Sequence, residues 1–198
     1  MPCYAFEGMV PVVDPTAYVH PLASLIGDVI VGPGCYIAPH ASLRGDFGRI
    51  EVEGHVSVQD SCTLHGSSER DCVIGFGSTI GHGAVVHGAR IGRHVLIGMN
   101  AVVLDDAVIG DECLVAAMSL VKGGAVVPAR TLMAGNPARA LRALAEGEIG
   151  WRNGDDGEYR RLASRSLAAL VECPPLAAPE ADRKRNIGHS RPVRLGMK

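Results

Sequence analysis

An aliphatic residue recurs at every sixth position through most of the chain, broken by two short insertions and one deletion. Four residues later the side chain is usually small, and glycine often follows the aliphatic residue directly. A period of six fits neither a 3.6-residue helical turn nor a β-sandwich, whose strands alternate and join through hairpins. It predicts an all-β solenoid of short flat strands with aliphatic side chains inside. The nineteen positions are Val19, Leu25, Val31, Ile37, Leu43, Val52, Val58, Leu64, Ile74, Ile80, Val86, Ile91, Ile97, Val103, Ile109, Val115, Val121, Val127 and Met133.

Three repeats make one coil of such a solenoid, so the interruptions can be placed on it. Three extra residues lie between Leu43 and Val52, and four lie between Leu64 and Ile74. One residue is missing from the step after Val86. Because functional residues gather on loops held by a rigid scaffold, we expect function in this region.

The repeat ends after Met133, and helices are predicted at residues 137–146 and at about 155–172. The helices should pack on the solenoid. The expected division is a solenoid domain at 1–137, a helical segment at 138–173 and a flexible basic tail at 174–198.

Composition limits the classes of partner. The 198 residues carry a formal net charge of −2, which argues against a protein that binds nucleic acid. No apolar run reaches the roughly 18 residues of a membrane span, and we expect no signal peptide in residues 1–9. Six cysteines without CxxC spacing suit a reduced, cytoplasmic protein with small buried thiols.

Two histidines follow repeat positions that lie one coil apart. His65 comes directly after Leu64, and His87 comes directly after Val86, three repeat steps later. Strand spacing should place one imidazole about 4.8 Å above the other, with both rings on the outer face. Arg44 takes the same place one coil earlier, so the three side chains are expected to form a ladder.

A third histidine, His82, lies two residues after Ile80, near the adjoining corner. Asp60 should stack beneath it, with Gln59 alongside. Since one prism cannot bring all three imidazoles together, we predict a homotrimer that shares the site between subunits. Three histidines with an open fourth position are typical of catalytic zinc, although Fe²⁺ or Co²⁺ also suits them. Asp46, Gln59 and Asp60 are candidates to orient the ligands or the water; the alternative is three surface histidines without a common role.

Four short segments resemble the γ-class carbonic anhydrase family. That family combines an Arg-x-Asp, a Gln-Asp before the first metal histidine, and a His-x4-His pair. The matching segments here are Arg44-Gly45-Asp46, Val58-Gln59-Asp60 with His65, Gly81-His82-Gly83, and His87-Gly88. The resemblance implies a left-handed parallel β-helix of hexapeptide repeats, followed by a C-terminal α-helix.

The resemblance also implies roles for individual residues. The implied metal ligands, shared across a trimer interface, are His65, His82 and His87. Arg44 and Asp46 would form an interface ion pair, with Asp60 in the same network. Gln59 would hold the metal-bound hydroxide.

At two positions the chain departs from the prototype of that family. Phe47 and Ser68 stand where the prototype has proton-shuttling acids, and Glu69 is one residue away from the second of these positions. Slow proton export would weaken CO₂ hydration. The chain is more similar to the hexapeptide proteins of phenylacetate degradation and of the carnitine operon, a subgroup that shares Phe47. The similar segments are residues 1–8, 11–13, 44–50, 98–103 and 135–139.

Similarity to the phenylacetate type implies a metal-dependent thioesterase, in which metal-bound hydroxide hydrolyses CoA thioesters. The implied catalytic residues are Gln59, Asp46 and Tyr159. Tyr159 resembles a family tyrosine on the C-terminal helix that approaches the metal, and its alternative role is packing. Arg139 and Arg142 are candidates to bind CoA phosphates, against the simpler interpretation of solvated arginines.

Three other functions stay open. A carbonic anhydrase would use the same three histidines. An acyltransferase is also compatible, because many hexapeptide-repeat proteins transfer acyl groups from CoA and Gly135-Asn136-Pro137-Ala138 recurs among them. The third is a trimeric accessory protein of carnitine or CoA metabolism without activity of its own.

Overall fold

The computed structural model describes residues 3–151 and 157–184. Within these ranges the chain forms twenty short strands, then a 3-10 helix and one α-helix. In chain order the strands are β1 (Cys3–Tyr4), β2 (Val12–Val13), β3 (Tyr18–Val19), β4 (Ser24–Val31), β5 (Tyr36–Ile37), β6 (Ser42–Val52), β7 (Ser57–Val58), β8 (Thr63–His65), β9 (Cys72–Ile74), β10 (Thr79–Ile80), β11 (Val85–His87), β12 (Arg90–Ile91), β13 (Leu96–Ile97), β14 (Val102–Val103), β15 (Val108–Ile109), β16 (Leu114–Val115), β17 (Leu120–Val121), β18 (Val126–Val127), β19 (Thr131–Gly135) and β20 (Ala138–Ala143).

The strands stack into a left-handed parallel β-helix, which confirms the predicted fold. One face is an eight-stranded sheet in the order β20-β19-β16-β13-β10-β7-β5-β3. The other two faces join into one twelve-stranded sheet, because β4 and β6 continue around a corner without a break. The first half of β6 pairs with β8, and its second half pairs with β9.

The repeat positions form the core. All nineteen aliphatic positions are buried, and Val19 at the open end is the most exposed of them at 8%. Where the repeat is uninterrupted, each coil stacks on the next at a spacing of eighteen residues, as Leu96 pairs with Leu114 and Ile97 with Val115. Burial of a side chain of this size contributes about 1.5–3 kcal/mol, so the stack of aliphatic layers accounts for the stability of a fold with very short strands.

Four of the six cysteines are small core residues, as expected, whereas Cys3 and Cys173 are exposed. All six are free thiols, and four are buried. Burial raises the pKa of Cys35 and Cys72 to about 12 and that of Cys62 to about 11, so these groups stay protonated.

The segment after the last coil is a strand where the sequence predicted a helix. Ala138–Ala143 (β20) runs antiparallel to β19, and only a 3-10 turn at Glu146–Glu148 follows. The helix prediction for residues 137–146 was therefore wrong. Its alanine-rich sequence favours a helix locally, but β19 ends the solenoid with an open edge, and β20 covers that edge after a turn at residues 136–137.

One α-helix, α1 (Glu158–Ala169), lies inside the second predicted helical range. It contacts β3 and β5 at the N-terminal end of the eight-stranded sheet, and Ala163 is fully buried in that contact. Residues 185–198 of the predicted tail lie outside the described ranges. Within those ranges no helix has the length and hydropathy needed to cross a membrane.

Candidate functional site

The register of the coils confirms the predicted ladder. Arg44 in β6 lies opposite His65 in β8, and His87 in β11 lies opposite His65 on the other side. The ring centroids of the two histidines are 4.9 Å apart. The three side chains therefore stack on one outer face, as the repeat arithmetic required.

His65 is not exposed, although the sequence placed its ring on the outer face. Its exposed fraction is 7%, because β6 extends over it and the Phe47 ring meets the imidazole edge-on at 5.9 Å. Gly48 passes close to the loop at residues 66–71, so that a Cβ there would lie 2.6 Å from the carbonyl oxygen of Ser67. The two insertions thus pack against each other and cover the ladder.

Two aspartates hold the outer nitrogens of the histidine pair. Asp46 Oδ1 lies 2.9 Å from His65 Nε2, and Asp105 Oδ1 lies 2.9 Å from His87 Nδ1. A neutral imidazole that binds a carboxylate in this way uses its single N–H for that contact. The two carboxylates therefore determine which nitrogen of each ring is left without a proton.

Both aspartates are ionised at neutral pH. Partial burial opposes ionisation of Asp46, but hydrogen bonds from Arg44 and from the histidine outweigh it and lower the pKa below the usual value. The Arg44 guanidinium lies 2.5 Å from Asp46. Burial likewise opposes ionisation of Asp105, and hydrogen bonds from the Ser67 hydroxyl at 2.8 Å and from the histidine again leave the pKa lowered. An ionised carboxylate only accepts, so the protons must come from the imidazoles.

The inner nitrogens of the pair face each other. His65 Nδ1 and His87 Nε2 are 2.9 Å apart. When both N–H groups are directed to the aspartates, two lone pairs meet across this gap, and a cation bound between them would relieve their repulsion. Two ligands of a tetrahedral zinc ion, each at 2.0–2.1 Å, are about 3.3 Å apart. The donor set and its spacing therefore fit a metal ion after a shift of a few tenths of an ångström.

His82 lies in the turn after β10, on the eight-stranded sheet. As predicted, it stacks on Asp60, whose Oδ2 lies 2.8 Å from His82 Nδ1, and Gln59 is beside it. The carboxylate leaves Nε2 as the nitrogen available to a ligand. In residues 3–151 and 157–184 of one chain, no group of three or more His, Cys, Asp and Glu side chains is placed to hold a metal. Within the described residues of one chain, the three imidazoles are therefore not brought together.

Gln59 links His82 to the C-terminal helix. The His82 backbone N–H donates to Gln59 Oε1 at 3.1 Å, which fixes the orientation of the amide. Gln59 Nε2 then donates to the hydroxyl of Tyr159 on α1. Tyr159 packs at 6.2 Å against Tyr36, and burial raises its pKa, so it keeps its proton. One N–H of Gln59 and the Tyr159 O–H remain as donors in this turn.

Within one chain, three of the implied residues have the following contacts. Arg44 and Asp46 form an ion pair with each other. Asp60 lies in the turn of the other sheet and pairs with His82. The guanidinium of Arg142 makes a bidentate pair with Glu148 at 2.7 and 2.8 Å, which satisfies its charge within the chain and leaves it poorly placed for CoA phosphates.

Asp105 and Ser67 are the site residues that the sequence reasoning missed. The sequence contained a signal for Asp105. Leu64 and Val86, the repeat residues directly before the two ladder histidines, are each followed two places later by glycine, and the equivalent place in most other coils is also glycine. Val103 is followed at that place by Asp105, whereas Val86 is followed by Gly88. Asp105 therefore interrupts the column of glycines directly above Gly88, the residue next to His87.

Comparison with known proteins agrees with this architecture. The family model for bacterial transferase hexapeptide repeats matches residues 71–104 and 88–123. The carnitine operon protein CaiE of Escherichia coli O1:K1 is 52% identical over 185 residues, which cover 93% of this chain and 94% of CaiE. The chain belongs to the CaiE family of hexapeptide-repeat proteins. The expected similarity to the carnitine-operon subgroup is thereby confirmed.

Two solved structures share the fold of this CaiE-family chain. A hexapeptide transferase family protein from Anaplasma phagocytophilum has 34% identity and a TM-score of 0.74, with 84% of this chain and 95% of that chain covered. A Bacillus cereus protein, described provisionally as an acetyltransferase, has 30% identity and a TM-score of 0.74, with 84% and 92% covered. Acyl-group chemistry is thus named, provisionally, for the Bacillus cereus protein, and the Anaplasma phagocytophilum protein is described as a transferase family member.

Proposed function

We propose that the protein is a metal-dependent hydrolase of CoA thioesters. The observation that carries the proposal is the 2.9 Å approach of His65 Nδ1 to His87 Nε2, with an aspartate carboxylate against the other nitrogen of each ring. Zinc is the expected ion, and Fe²⁺ or Co²⁺ also suits three imidazoles.

We infer a homotrimer from the place of the third ligand. His82 has a half-exposed side chain in a turn, with Asp60 on Nδ1 and Nε2 left over. His65 and His87 lie on the twelve-stranded sheet of the same chain, away from that turn. A threefold arrangement lets the turn of one subunit meet the ladder of the next.

The chemistry follows from the donors around the site. A bound zinc ion supplies a nucleophile at neutral pH by acidifying water, and it also polarises a carbonyl oxygen. The free N–H of Gln59 and the O–H of Tyr159 are placed to donate to an oxygen that gains negative charge. A thiolate leaves without strong acid assistance, since a thiol pKa is about 8.5. Phe47 and Ser68, which cannot shuttle protons, are compatible with such a reaction.

The source of the acyl group separates two versions of the proposal. The name CaiE connects the relatives with a carnitine operon. The sequence resemblance instead favours phenylacetate catabolism. Both versions require a CoA thioester, so a substrate panel with aryl-acetyl and carnitine-type acyl groups tells them apart.

Acyl transfer is the second candidate. It is favoured by the two solved relatives with 30% and 34% identity, which are described as transferases. A transferase of this kind would need an acceptor and no metal. Carbonic anhydrase activity is the third, and it needs the same ion.

One assay distinguishes these activities. Zinc-loaded and chelator-treated protein is given CoA thioesters with and without amine or hydroxyl acceptors, and free thiol is measured; CO₂ hydration is followed by stopped flow. We expect acceptor-independent thiol release that is lost with the metal. His82→Ala should lower it at least a hundredfold and weaken zinc retention, whereas His40→Asn, at an exposed turn position, serves as the control. Turnover of CO₂ alone, or acceptor-dependent release that survives chelation, would contradict the proposal.

A further inference from the structure

The residue two places after each ladder aliphatic is glycine in most coils, and these residues form a column beside the histidine ladder. In one coil Asp105 takes the place of the glycine. Gly88 follows His87, and a Cβ on it would collide with Asp105 Oδ1 and lie 3.2 Å from the Ser67 hydroxyl. The missing side chain therefore leaves a space between two coils. Asp105 enters this space from the coil above, and Ser67 enters it from the coil below.

The three groups in this space form a connected hydrogen-bond network. Asp105 Oδ1 accepts from the Ser67 hydroxyl at 2.8 Å and lies 2.9 Å from His87 Nδ1. Ser67 belongs to the loop of the second insertion, where its backbone N–H and C=O both pair with Arg70 at 3.0 and 2.9 Å. The loop therefore fixes the position of the Ser67 hydroxyl, which donates to the Asp105 carboxylate. That carboxylate in turn contacts Nδ1 of His87.

We propose that Asp105 is a positioning residue for His87, locked by Ser67, which keeps the ring as the Nδ1–H tautomer with Nε2 directed at His65. Its consequence for metal binding rests on the proposed function. The tautomer itself does not, because it is a property of the metal-free protein. Ligating histidines commonly depend on such a partner, whose loss weakens metal affinity by about 10–100-fold.

Asp106 provides a matched control. It follows Asp105 directly in the chain and carries the same charge, but its carboxylate pairs with the guanidinium of Arg70 at 2.5 Å. Asp106→Asn and Asp105→Asn therefore change net charge equally. Only the second changes the group that contacts the ring, and Ser67→Ala removes the hydroxyl that holds Asp105 while leaving the carboxylate in place.

The tautomer is measured on chelator-treated protein labelled with ¹⁵N-histidine, by long-range ¹H–¹⁵N spectra at one fixed alkaline pH. We expect His87 as the Nδ1–H form in the wild type and in Asp106→Asn. Asp105→Asn and Asp105→Ala should shift it toward Nε2–H, and Ser67→Ala should give a partial shift. An Nδ1–H signal that stays unchanged in Asp105→Ala would overturn the proposal.

Zinc affinity, measured against a competing chelator, gives the second readout. We expect a loss of about 10–100-fold for Asp105→Ala and less than a twofold change for Asp106→Asn. Equal losses in both variants would show a charge effect and contradict positioning. If the wild type takes no zinc while the tautomer still depends on Asp105, the proposed function fails and the positioning role stands.

Discussion

At the scale of single residues, one arrangement occurs three times. Each of His65, His82 and His87 has a carboxylate on one ring nitrogen, from Asp46, Asp60 and Asp105 respectively. The second nitrogen of every ring is thereby left as an acceptor. A ring held in this way presents its second nitrogen in a fixed orientation, as the outer carboxylate partners of ligating histidines do in metal sites.

The lowered pKa values of Asp46 and Asp105 predict acid sensitivity of the metal-free fold. A carboxyl group whose pKa is depressed by folding contributes stability above its unfolded value of 3.8, and that contribution is lost as the pH falls through the folded value. We expect the free energy of unfolding in urea, with chelator present, to decline as the pH falls below about 4. The double variant Asp46→Asn, Asp105→Asn should decline less steeply, and equal slopes would contradict the assignment.

At the scale of elements, α1 connects the first coils with the candidate site. Its Tyr159 meets Gln59, and its Ala163 is fully buried against the sheet. The position of the tyrosine hydroxyl therefore depends on close packing two residues beyond the first turn of the helix.

Enlarging the buried residue of α1 tests this dependence. Ala163→Leu should cost about 1–3 kcal/mol of stability by overpacking, and it should lower hydrolysis without loss of zinc. Ser164→Leu adds the same side chain on the exposed side of the helix and should change stability by less than about 0.5 kcal/mol. Urea unfolding and zinc analysis by mass spectrometry are the measurements. Wild-type activity in Ala163→Leu would show that α1 does not position Tyr159.

The elements also show how far sequence reasoning extends. A strict period of six determines which residues face inward, and from it follow the coil register and the stacking of His65 on His87. The burial of His65 could not be predicted, because it depends on how two insertions pack on each other. The strand at Ala138–Ala143 was missed since an open edge outweighed local helix propensity. Asp105 was missed because it lies one coil above its partner, in a column that was not compared across coils.

At the scale of the whole molecule, a shared site predicts complementation between defective subunits. His82→Ala keeps an intact ladder, and His87→Ala keeps an intact turn. When the two are coexpressed, random assembly completes about one interface in four, so we expect about a quarter of wild-type zinc and activity.

Coexpression of His65→Ala with His87→Ala is the matched control. Both variants are defective in the same ladder, so no interface in a mixed trimer is complete and no recovery is expected. Light scattering on each mixture verifies the trimer mass. Absence of recovery in the first mixture, with trimers present, would show that the site is not shared between subunits.

From Arg90 onward the coils stack at a uniform spacing of eighteen residues, which makes this part of the protein modular along its axis. The ladder, its carboxylates and the turn of His82 all lie between Arg44 and Asp105. A duplicated coil spliced in after Ile109 would lengthen the rod and leave the histidine ladder untouched, but the chain that returns to α1 and Tyr159 would have one more coil to span. The same duplication between Gly66 and Val86 would insert one coil between His65 and His87, so that the two imidazoles would no longer lie in adjacent coils.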